Sequence, residues 1–232
     1  MTLLGRGPLV RAVAGVAEAG GTVLLHGPFG IGKTTVLREV QRTLAPRRRT
    51  GFAPRTRELR DVTRALAASY PEVPIDDRTQ RRIRSGLRLA VERAPAVLLL
   101  DDVADTGKAL KGFLRSLRGT GLGVVLVADL AHPRELAGVR ALGLSFREVA
   151  VPPLHGRTMR RVLADLLEAA APAGTLRAEH LDALVDAARG NPGVLRALVA
   201  RLDDARYWSS GRLLVDLLRI DAAIEVAAVA LR

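Results

Sequence analysis

Eight residues near the start of the chain, Gly27-Pro28-Phe29-Gly30-Ile31-Gly32-Lys33-Thr34, constrain its fold more than any other feature. They follow a short apolar run, Thr22–His26 (TVLLH), and open a segment, 33–44, whose apolar residues recur at helical spacing. A buried strand that turns through glycines directly into a helix belongs in a parallel sheet covered by helices. The loop has the form G-x-x-x-x-G-K-[ST]. Glycines let successive backbone N–H groups close around an anion. The helix opening at Lys33 adds the positive end of its dipole. Lys33 offers a point charge to β and γ phosphates, and the Thr34 hydroxyl offers a ligand to Mg²⁺. Gly27, Pro28, Phe29, Gly30, Ile31, Gly32, Lys33, Thr34 and the adjacent Thr35 are therefore the candidate nucleotide contacts. ATP is the expected nucleotide, since the sequence has no N/T-K-x-D segment to read guanine.

The rest of the chain alternates in the same way. Apolar periodicity predicts a helix over 6–19, stopped by Gly20-Gly21. A weak strand is expected near 50–53, and helices over 56–69 and 77–93, separated by Pro71 and Pro74. The run AVLLL at Ala96–Leu100 predicts a strand, followed by a helix near 106–118. Further strands are expected at Gly123–Ala128 (GVVLVA) and 147–151. After Pro152-Pro153 no strand-like run is apparent, and helices are expected near 156–170, 178–189, 193–205 and 211–231. The expected fold is α/β: a parallel sheet with flanking helices over 1–153, followed by an all-helical lid and C-terminal helix over 154–232.

Strand 96–100 ends in Asp101-Asp102. A carboxylate at the end of a buried strand can hold Mg²⁺ opposite the loop hydroxyl, which assigns Asp101 with Thr34 to the metal. Asp102 is then the residue to orient or deprotonate the attacking water.

Composition excludes several alternatives. With no cysteine, disulfides, thiolate metal sites and cysteine nucleophiles are ruled out. The four histidines, His26, His132, His155 and His180, lack the spacing of a zinc site. Arg11 and Glu18 interrupt the first apolar stretch, and Asp216, Arg219, Asp221 and Glu225 interrupt the last, so neither suits a membrane span; the chain is expected to be soluble and cytoplasmic. The net charge of +12 admits an anionic partner. Arg47, Arg48, Arg49, Arg55, Arg57 and Arg60 are concentrated after the loop helix. Two readings of this cluster stand: a surface that tracks a nucleic-acid backbone, with Phe52 as a stacking group, or a solvated arginine-rich loop.

On these residues the chain resembles the AAA+ and STAND ATPases. Gly5-Arg6-Gly7 is similar to their opening, GPFGIGKTT to the STAND phosphate loop and LLLDDVAD to the STAND acidic strand end. Val151-Pro152-Pro153-Leu154 is similar to their core–lid junction, and Gly190-Asn191-Pro192 to the G-x-P motif of the lid. The resemblance implies that Pro192 packs near the adenine or ribose and that Arg6 lies near the base. It places Asp129 at the sensor-1 position. Arg147, or else Arg140, would be an arginine finger supplied to a neighbouring subunit. There are departures: Asp102 stands where many AAA+ proteins have glutamate, and Gly193 where a sensor-2 arginine often follows G-x-P, with Arg196 one turn later. The resemblance implies an ATP-binding, slowly hydrolysing switch whose nucleotide state controls homo-oligomerisation or the binding of a protein partner. The alternative is a DNA-acting ATPase of the transposition-regulator type that assembles on DNA without sequence preference.

Overall fold

The computed structural model describes residues 5–56, 58–73, 80–103, 108–131, 133–170 and 172–230. The chain divides into two compact units, one made of 1–28 and 33–151, the other of 29–32 and 152–232.

The first unit is built on a five-stranded sheet. Its strands are β1 (Thr22–His26), β2 (Arg49–Ala53), β3 (Ala96–Leu100), β4 (Gly123–Ala128) and β5 (Arg147–Ala150), in the order β2-β3-β4-β1-β5 with every pair parallel. The three central strands are the continuous apolar runs. β3 and β4 are buried along their whole length, as strands covered on both faces must be. β2 and β5, which carry arginines, are the edges.

Helices α1 (Gly7–Glu18) and α2 (Lys33–Leu44) pack together over β1, β4 and β2. Helices α3 (Leu59–Ala67), α4 (Gln80–Arg93), α5 (Lys108–Ser116) and α6 (Pro133–Leu142) share a second core with alternate residues of the sheet, Leu24, Leu98, Leu100, Val124 and Leu126. The sequence gives no expectation of α6, because only Gly138, Val139 and Leu142 are its buried residues and they make a faint apolar stripe.

The second unit holds α7 (Gly156–Leu167), α8 (Ala178–Ala188), α9 (Pro192–Val199) and α10 (Val215–Ala230) around Met159, Leu163, Leu184, Leu195, Leu198 and Leu218. It is helical as expected, with one addition. A hairpin of β6 (Trp208–Ser209) and β7 (Arg212–Leu213) interrupts it, and the helix expected over 193–205 ends at Val199. The hairpin turns through Ser210 and Gly211, at φ 50° and 75°, the left-handed pair that a two-residue turn requires. Trp208 Nε1 donates to the Leu202 carbonyl at 3.0 Å, and the Tyr207 hydroxyl donates to Asp221 at 2.9 Å.

Candidate functional site

In a parallel sheet all strands end at one edge, where ligands collect. Here β1 runs into the glycine loop, β3 into Asp101-Asp102 and β4 into Asp129. Because β4 lies between β3 and β1, the sheet sets these three ends side by side.

The loop has the backbone its glycines permit. Gly30 and Gly32 take φ of 78° and 98°, values that L side chains rarely adopt. Lys33, at the start of α2, curls its ammonium back to donate to the Gly27 carbonyl at 2.6 Å and the Pro28 carbonyl at 3.2 Å. Burial pushes its pKa down, and the carboxylates of Asp129, Glu135 and Asp101 oppose that shift. A half-buried ammonium whose hydrogen-bond partners among the described residues are backbone carbonyls suits an incoming phosphate, which offers charge-assisted bonds in their place.

The two candidate metal ligands are joined directly. The Thr34 hydroxyl donates to the Asp101 carboxylate, as does the Asp102 backbone N–H. Burial raises the Asp101 pKa against these hydrogen bonds. A hydroxyl and a carboxylate beside a phosphate loop are a hard-oxygen donor pair of the kind Mg²⁺ takes. The Asp101 N–H donates to the Ala53 carbonyl at 2.9 Å, and the Thr56 hydroxyl to the Asp102 carbonyl at 2.7 Å, so the end of β3 is anchored to the chain following β2. Asp102 is exposed and sits in the left-handed region at φ 53°, which aspartate tolerates better than most residues.

Sequence reasoning missed one acid at this edge. Glu135, in the first turn of α6, accepts a hydrogen bond from the Asp129 backbone N–H at 2.5 Å. Burial raises its pKa, the Asp129 N–H and Lys33 oppose the rise, and Asp129 and Asp102 add to it. The readable signal was Pro133 followed by an acid two residues on, a common opening for a helix.

A second feature is confined to the second unit. The tip of the loop, Phe29–Gly30, is clasped by the start of α9. Asn191 caps that helix by accepting from the Gly193 and Val194 N–H groups, and its amide donates to the Phe29 carbonyl at 2.9 Å. The Gly193 N–H donates to the Gly30 carbonyl at 3.0 Å. Pro192 is the first residue of α9 beside this clasp.

The other candidates lie elsewhere. Arg6 is buried at the N-cap of α1. Arg147 is exposed at the start of β5, level with Val23, whereas the loop leaves β1 after His26; the gap is about 10 Å along the strand. Arg140 is exposed in the last turn of α6. In the arginine cluster, Arg47 pairs with Glu18 at 3.4 Å. Arg49 donates to the Ser69 carbonyl at 2.7 Å, pairs with Glu72 and lies over the Tyr70 ring. Arg48 is half-buried, Arg55 and Arg60 are exposed, and Arg57 lies outside the described residues. The Arg38 guanidinium stacks on Phe52, 3.4 Å from the ring centre.

The family model described as "AAA domain" matches residues 17–136, just over half of the 232, and the chain belongs to that family. It is therefore a P-loop AAA+ protein. Among solved structures it is similar to Cdc6p from Pyrobaculum aerophilum, at 18% identity and a TM-score of 0.59, over 88% of this chain and 63% of that one. It is similar to the Aeropyrum pernix ORC2 protein in its ADP form, at 18% identity and a TM-score of 0.56, over 93% of this chain and 66% of that one. Domain III of the Thermotoga maritima replication initiation protein DnaA gives 18% identity and a TM-score of 0.52, over 95% of this chain and 93% of that one. The chain thus spans just under two thirds of the Cdc6p and ORC2 chains, and at this identity the likeness is one of fold. No curated protein matches it in sequence. Among the described residues no helix is long and apolar enough to cross a membrane.

Proposed function

We propose that this AAA-domain chain is an ATP-dependent switch: it binds ATP with Mg²⁺ at Gly27–Thr35, hydrolyses it slowly, and uses the nucleotide state to control self-assembly or the binding of a protein partner. The observation that carries this reading is the Lys33 ammonium held on the Gly27 and Pro28 carbonyls beside the bonded Thr34–Asp101 pair. In the bound state the β and γ phosphates take over the Lys33 ammonium, while the N–H groups of the loop close on their oxygens. Thr34 and Asp101 would hold Mg²⁺, which offsets charge on the β and γ phosphates. Asp102 orients the water for in-line attack. Arg6 lies near the base, and Arg147 serves the site of a neighbouring copy. The clasp of Asn191 and Gly193 on Phe29–Gly30 supports the switch: a loop tip that shifts around phosphates pulls directly on α9.

The test is titration of a fluorescent ATP with and without Mg²⁺. Lys33→Ala deletes charge-assisted bonds of about 1.5–3 kcal/mol, so affinity falls roughly 10- to 150-fold. Light scattering of the wild type without nucleotide, with ADP and with a slow ATP analogue then reads the assembly. Unchanged affinity in a folded Lys33→Ala protein removes the assignment, and identical size in all three states removes self-assembly as the output.

A further inference from the structure

A further carboxylate, Glu135, stands at this edge besides Asp101, Asp102 and Asp129, and its placement gives it a task. Glu135 lies in the first turn of α6, just after the end of β4. That strand is flanked by the one that enters the phosphate loop and the one that ends in Asp101-Asp102. The β4–α6 turn therefore begins between the phosphate loop and the acid pair, and Glu135 is close enough to Lys33 on one side and Asp102 on the other to feel both charges. The turn is fixed by its own hydrogen bonds. The Asp129 carboxylate accepts from the Ala131 N–H at 3.1 Å, and the Glu135 carboxylate accepts from the Asp129 N–H.

That hydrogen bond engages Oε2 of Glu135, and Oε1 remains to accept a proton. The residue is half-buried, unlike the exposed Asp102. Its electrostatic neighbours are Lys33, Asp129 and Asp102, all at the nucleotide edge. Burial holds its carboxyl above the ordinary range, which makes it a stronger base than a solvated acid. Asp102 has a side chain one methylene shorter than the glutamate common at its position, and a backbone turned into the left-handed region at φ 53°.

We propose that Glu135 is the residue that accepts the proton of the attacking water, with Asp102 orienting that water. This rests on the ATPase reading above. The water oxygen bonds to the γ phosphorus as the bond from that phosphorus to the β–γ bridging oxygen breaks. The electron pair of the broken bond leaves on ADP. One water proton stays on the phosphate formed, and the other passes to Glu135, which returns it to solvent.

The competing role is structural: Glu135 only staples the turn through the Asp129 N–H. Glu135→Gln separates the two. The amide oxygen still accepts from the Asp129 N–H, and the shape is unchanged, but the basicity is gone. Three measurements on the full chain decide it: ATP affinity, single-turnover hydrolysis at saturating ATP, and melting temperature. Loss of a general base lowers kcat by about 100-fold or more, with wild-type affinity and wild-type melting. A staple gives wild-type kcat in Glu135→Gln and loss of stability only in Glu135→Ala, and that result overturns the proposal. Lys33→Ala, run alongside, reports the phosphate-loop reading independently. If Lys33→Ala loses binding while Glu135→Gln turns over normally, the site stands and the base assignment falls. If the wild type binds ATP and never hydrolyses it, the proposal falls together with the ATPase reading.

Discussion

Replacing Gly193 by alanine sets two effects of opposite sign against each other. Gly193 is the second residue of α9, where alanine is intrinsically better than glycine by about 1 kcal/mol. A Cβ there would lie 2.5 Å from Gly30 Cα, 2.9 Å from its carbonyl oxygen and 3.0 Å from its carbonyl carbon. These are backbone atoms, and the loop must retreat about 1 Å to restore ordinary contact. Overpacking of this kind costs about 1–3 kcal/mol. The retreat also stretches the Gly193–Gly30 and Asn191–Phe29 hydrogen bonds, each worth about 1 kcal/mol net. The balance is destabilising by about 2–4 kcal/mol, or roughly 5–15 °C in melting temperature for a chain of this size. Gly112→Ala is the matched control. Gly112 lies inside α5 and an added Cβ meets nothing within 4 Å, so that change stabilises by about 0.5–1 kcal/mol. Scanning calorimetry without nucleotide reads both. A Gly193→Ala protein that melts at or above wild type refutes the clasp.

Burial lifts the Tyr70 phenol to about 12, with Arg49 opposing and Glu72 adding, so its folded pKa lies above the unfolded one. The neutral phenol, which donates to the Ala94 carbonyl, stabilises the fold fully below pH 10, and that stability is lost as pH rises from 10 to 12. Tyr70→Phe should be about 1 kcal/mol less stable at neutral pH and lose less between pH 10 and 12; parallel denaturation curves for the two proteins would exclude the assignment. If Arg147 is supplied in trans, ATPase activity per chain rises with protein concentration and Arg147→Ala abolishes the rise without changing ATP affinity. A rate independent of concentration in the wild type removes the finger. Arg47 and Arg49 already have carboxylate partners, so of the five described arginines in the cluster only Arg48, Arg55 and Arg60 remain for phosphates. Duplex-DNA binding through these three and Arg57 should show a log–log salt slope no steeper than about −4, and a slope near −5 would restore the whole cluster as a nucleic-acid surface.

The parts of the fold that were legible are those in which local pattern and burial agree. TVLLH, AVLLL and GVVLVA are uninterrupted apolar runs, and strands enclosed on both faces have no reason to alternate. β2 is legible only as a weak strand because RTGFA mixes charge with apolar residues, as an edge does. Its Gly51 has a tertiary cause: a Cβ there would lie 2.7 Å from the Ala65 carbonyl, so α3 can approach only a glycine. The β6–β7 hairpin escapes because two-residue strands show no alternation, although Ser210-Gly211 is a recognisable turn pair. α6 escapes because a glycine fills part of its buried face.

The site divides along the same line. Its contiguous part, Gly27–Thr34, carries its chemistry in its spacing, and Asp101 follows from a strand end. Glu135 is marked only as the acid of a helix opening and Asn191 only as the variable residue of G-x-P, because what each does depends on a partner that folding brings to it. For Asn191 that partner is 162 positions away. The clasp also explains the departure at Gly193. Gly193 stands where a sensor-2 arginine often follows G-x-P. Here a side chain of any size at that position would strike the Gly30 backbone, so the position is committed to holding the loop by its N–H. Arg196 is exposed one turn further along α9. The switch proposed above would then read the shape of the loop through this clasp, there being no arginine at 193. On that logic Arg196→Ala should leave the difference between ATP and ADP affinity unchanged, while Asn191→Ala, which releases Phe29 and uncaps α9 together, should reduce it. The reverse pattern in paired titrations would return the sensing role to the arginine.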